Sequence, residues 1–113
     1  MQHKDEHFHI VYLPTVRLSL QEIASFHRRL GNDHKPIIAK ALDEFESRVS
    51  QFPLGCQICS ELAEHGVTRY REFNSSDGYR VLFSVEQQTV YAHVFLSQRQ
   101  SIQQLLFRRL IEH

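Results

Sequence analysis

The chain has 113 residues, 42% of them hydrophobic and 23% charged, and its 13 basic and 13 acidic side chains give a formal net charge of zero. That length fits one domain, residues 1–113, with a core that needs no disulfide or metal. The charge balance withholds the basic signature of a phosphate-binding protein. No apolar run approaches the roughly 18 residues of a membrane span, and the charged start MQHKDEHFHI lacks a secretory core, so a cytoplasmic protein without membrane contact is expected.

Residues 8–13, FHIVYL, are rich in β-branched and aromatic side chains and read as a strand ended by Pro14. Ser19 and Glu22 have capping-box spacing. Leu20, Ile23, Ala24, His27 and Leu30 follow at helical spacing, and Gly31 stops that helix. Asn32 or Asp33 caps a second helix with Pro36 in its first turn. Its apolar stripe is Ile37, Ile38, Ala41, Leu42, Phe45, Val49 and Phe52, and Pro53 and Gly55 end it. So short a link predicts an antiparallel helical hairpin.

The chain's two cysteines, Cys56 and Cys59, lie in CQIC. A structural zinc needs four ligands, and no second CxxC supplies them, so no metal or cofactor is expected. The motif follows a helix end, whereas a redox CxxC opens a helix after a strand, so two small semi-buried side chains are expected. SELAEHG reads as a turn of helix or a loop. Residues 67–73, 79–85 and 89–96 read as three strands joined by SSDG and by Glu86-Gln87-Gln88. Ile102, Leu105, Leu106 and Leu110 predict a C-terminal helix.

The expected class is α+β: an antiparallel sheet of about four strands packed on the helical hairpin, closed by the C-terminal helix. Its other face should be partly open. In YRVLFSV, Tyr79, Val81, Phe83 and Val85 should face one way, and Arg80, Leu82 and Ser84 the other. Arg80, Tyr91, His93 and Arg71 are the polar candidates for the open face. A strand-face arginine is by default solvated, so Arg80 raises the question of purpose.

Several segments resemble the RelE/ParE superfamily, the toxins of type II toxin–antitoxin systems. They are YLPTVRLSLQEIASF at the first strand and helix, QFPLG at the end of the long helix, YREF with DGYRVLFSV at the hairpin, and VFLSQRQS at the last strand. The resemblance covers nearly the whole chain. It implies the order β-α-α-β-β-β-α and one of two targets. RelE-like members cut messenger RNA in the ribosomal decoding site; ParE-like members poison DNA gyrase by binding it.

For a nuclease, the resemblance implies that Arg80 and Arg99 stabilise charge on the scissile phosphate, a role suited to guanidinium. Arg71 matches a first catalytic lysine. The second lysine position falls at Glu72 or Phe73 and the catalytic tyrosine position at Leu105, so both of those residues are absent. His93 and Tyr91 are the candidate substitutes for proton transfer. The neutral charge and the two missing residues favour a binding toxin. A non-toxic, antitoxin-binding relic of the fold is a third possibility. All three imply an antitoxin whose helix lies in the groove of the hairpin or displaces the C-terminal helix.

Overall fold

The computed structural model of the protein describes residues 7–97. The expected C-terminal helix and Arg99 lie outside them. Strand β1, His9–Tyr12, runs into α1, Pro14–Arg29, and α2, Lys35–Val49, follows. A 3-10 turn at Pro53–Gly55 leads to a short α3, Ser60–Ala63, and then to β2, Arg71–Asn74; β3, Tyr79–Glu86; and β4, Thr89–Ser97. Among the described residues no helix is long and apolar enough to cross a membrane.

The class is α+β, but the sheet is mixed. Its order is β1-β4-β3-β2, with β1 parallel to β4 and the other pairs antiparallel. The tight turns force antiparallel pairing only on β2, β3 and β4. β1 reaches the β4 edge through a helical crossover, which permits the parallel direction.

Pro14 both ends the strand and starts α1, because its fixed φ suits the first helical position and its missing N–H costs nothing there. The helix therefore begins five residues before the expected Ser19 cap. Ser19 lies inside it, buried. Its hydroxyl donates to Val16 O (2.8 Å) and accepts the N–H of Phe95 (3.0 Å). Thr15 likewise donates to His93 O. β1 ends opposite Ala92, and beyond it His93 O and Phe95 N–H on the β4 edge are satisfied by hydroxyls of α1 instead of by a strand. Ser19→Ala leaves a buried N–H without a partner and is expected to cost about 1–2 kcal/mol in urea unfolding, with Ser19→Thr retaining part of the bond.

Two helices cover one face. Val16 and Ile23 of α1 and Ala41, Phe45 and Val49 of α2 pack on Tyr79, Val81, Phe83, Val90, Ala92 and Phe95. Phe45 sits edge-on to both Phe73 and Phe83 (5.8 and 5.9 Å between ring centroids). Phe52 was expected on this stripe. Instead α2 stops at Val49, and Phe52 is 68% exposed.

The second face is covered too, contrary to the sequence expectation. Cys59, Leu62 and Tyr70 pack there on Leu82, Val94 and Leu96. Residues 57–59 run along the outer edge of β2, where Glu72 N–H donates to Gln57 O (3.0 Å) and Cys59 N–H to Tyr70 O (2.8 Å). The expected strand over 67–73 is therefore shorter at its start: Tyr70 is buried under the sheet, and pairing begins at Arg71.

β4 carries a bulge. Leu82 pairs with Val94 and Phe83 with Ala92, which leaves His93 as the extra residue. Beyond it the alternation shifts by one, so His93 and Val94 both serve the second face.

Candidate functional site

The alternation of β3 places Arg80 on the second face, as expected. Its side chain is 14% exposed. Nη2 donates to Glu61 Oε1 of α3 (2.5 Å) and to Glu72 Oε1 of β2 (3.1 Å). Burial alone would weaken the charged form; the hydrogen bonds it donates to Glu61 and Glu72, and their negative charge, outweigh burial and hold the guanidinium's pKa above its ordinary value. Nε is buried without a hydrogen-bond partner. Glu72 is filled as well: its Oε2 accepts from Gln57 (3.3 Å) and Asn74 (3.4 Å).

Arg71 does not join Arg80. Register places Arg71 opposite Phe83 and Asn74 opposite Arg80, so Arg71 faces the helix side and Arg80 the other. Arg71 Nη1 donates to the carbonyls of Cys56 (2.6 Å) and Leu54 (3.4 Å), tying down the loop before α3. The expected cluster of guanidinium groups on one face is thus not assembled by Arg71 and Arg80, and Arg99 lies outside the described residues.

His93 and Tyr91 reach the second face, beside Ser84. Ser84 Oγ and His93 Nε2 are 2.8 Å apart. The imidazole stands edge-on to Tyr70 (5.0 Å, 82°). Burial first, then the positive charge of Arg69, pulls the His93 pKa down to about 4. The ring is neutral at pH 7, so it does not titrate where general acid–base work at neutral pH needs it. Arg69 lies over the Tyr70 ring, 5.1 Å from its centroid, and donates to its hydroxyl (3.0 Å).

Cys59, Glu61 and Glu72 bring three ligand-type atoms within 4.8 Å of one another. The two carboxylates are already bound by Arg80, and burial pushes the Cys59 thiol up, away from the thiolate a metal takes. The cation that these two carboxylates hold is the Arg80 guanidinium. Cys56 packs with the helix-side core and Cys59 with the second-face cluster, and burial raises both thiols.

Sequence reasoning missed Glu61 and the part played by Glu72. The second was readable: with SSDG as the turn, Asn74 opposes Arg80, and Glu72 is then its diagonal neighbour on the same face. Glu61, 19 residues from Arg80 on a four-residue helix, left no local signal.

A second feature lies on the helix side. α1 exposes Leu18 and Phe26, and Leu30, which caps its C-terminus, is exposed too. Phe26 and Leu30 open onto a cleft of about 750 Å³ that Ile23, His27 and Tyr79 also line, together with the charged Glu22, Arg29 and Asp77. His27 Nε2 and Tyr79 Oη, 2.8 Å apart, fix one wall. An aromatic and a leucine four residues apart on a helix, beside a cleft, form the kind of surface that receives an apolar partner side chain. No family model matches the chain, and no curated protein matches it.

Proposed function

We propose that the chain is a RelE/ParE-like toxin that acts by binding a protein, as the gyrase-poisoning branch does, and that it does not cut messenger RNA. The carrying observation is the engagement of Arg80 by Glu61 and Glu72. A phosphate-binding guanidinium must present its N–H fork to the substrate; here Nη2 is taken by two carboxylates. The opposite facing of Arg71 and the neutral His93 support the same conclusion. So does the zero net charge. The exposed Phe26 and Leu30 beside their cleft suit a protein partner, with a helix from a cognate antitoxin as the first candidate.

Induced expression of the wild type, with separate labelling of new protein and new DNA, tests this. DNA synthesis is expected to stop while translation continues. A rapid stop in protein synthesis overturns the proposal in favour of the ribosome-dependent endoribonuclease. No growth effect overturns the toxin assignment and leaves the antitoxin-binding relic.

A further inference from the structure

The second face combines features of opposite meaning. Arg80 is 14% exposed beside α3, Arg69 is exposed, and Tyr91 and His93 are half-buried; guanidinium groups beside aromatic rings are what single-stranded nucleic acids bind. Against them stand Glu61 and Glu72, both on Arg80. Two carboxylates around one guanidinium leave that spot net negative. The carboxylates also come from separate elements, α3 and β2, so each approaches Arg80 independently. Removal of their charge leaves the guanidinium's positive charge uncompensated by them, with its Nε already without a partner.

We propose that Glu61 and Glu72 are specificity determinants that occupy Arg80 and so keep this sheet face from binding nucleic-acid phosphate. The inference deepens the protein-binding reading, because it names what excludes RNA from the site. Its test needs no toxicity, so failure of one leaves the other standing.

The probe is a short fluorescein-labelled single-stranded RNA, titrated with purified protein and followed by anisotropy across a series of salt concentrations. Glu61→Gln/Glu72→Gln is expected to bind at least about tenfold more tightly than wild type, with the log–log salt slope steeper by about one, the signature of one added phosphate contact. Adding Arg80→Met to the double variant is expected to abolish the gain. Circular dichroism and thermal melts establish that each variant is folded. Glu61→Gln alone alters the more exposed carboxylate, 35% accessible, and is expected to give part of the effect if the double variant does not fold. A folded variant lacking the carboxylate charge that binds RNA no better than wild type overturns the proposal. So does a gain that survives Arg80→Met.

Discussion

Arg80→Met is expected to lower the free energy of unfolding by about 3 kcal/mol, the scale set by stranding one member of a buried ion pair. Glu72 is the reason. Its side chain is 11% exposed, so its carboxylate cannot be rehydrated when the guanidinium is removed. Glu61, on the rim, can turn to water and should contribute little of the loss. The cost therefore belongs to the stranded partner more than to the lost bond. Arg80→Met/Glu72→Leu removes both charges, and the double variant is expected to recover to within about 1 kcal/mol of wild type, since apolar replacement of a buried pair is often neutral. Urea unfolding of the two singles and the double, read as a cycle, measures this coupling. A single-variant loss below about 0.5 kcal/mol would mean that water screens the pair, and the buried geometry described for Arg80 would not hold in solution.

The same residues show what a sequence discloses. The alternation in YRVLFSV and the stripe of α2 were readable because each is local: period two and period 3.6 place Val81, Phe83, Ala41 and Phe45 without knowledge of anything distant. The facing of Arg71 was readable in principle. It stands three positions before Asn74, so it has the opposite parity once SSDG sets Asn74 against Arg80. The start of α1 was misplaced because Ser19 carries two compatible meanings. A serine before an apolar stripe suits a cap, and it equally suits a buried hydroxyl that serves an orphan N–H on a neighbouring strand. Only the third dimension chooses. The covering of the second face was hidden for a different reason. Leu62, Val67 and Tyr70 are apolar but follow no regular period, so a segment that packs as an irregular strap leaves no pattern to read. The bulge at His93 is similar: one extra residue in β4 is fixed by pairing with β3, not by its own neighbours.

His93 should make the protein lose stability in mild acid. In the unfolded chain its imidazole binds a proton near pH 6.5; in the fold, burial and then Arg69 delay protonation to about pH 4. Between those values the unfolded state holds more protons than the native state, so stability falls as acid is added. The contribution is fully present above pH 6.5 and is exhausted below about pH 4. A window of this width corresponds to at most about 3 kcal/mol, and solvent screening of a ring that is not fully enclosed reduces the expected loss to about 1–2 kcal/mol. The protein has eight histidines, so the wild-type curve alone does not isolate this one. His93→Gln does, because it keeps a polar group near Ser84 and removes the titration. The stability difference between wild type and variant is expected to shift by about 1–2 kcal/mol in favour of the variant between pH 7 and pH 4.5. A pH-independent difference would mean that His93 titrates as it does in the unfolded chain. The second face would then be open to water, and the ring would be available for proton transfer near neutrality. That outcome would restore His93 as an acid–base group and weaken the case against RNA cleavage; the expected shift would keep the ring neutral beneath Tyr70 and Arg69, where its service is to packing.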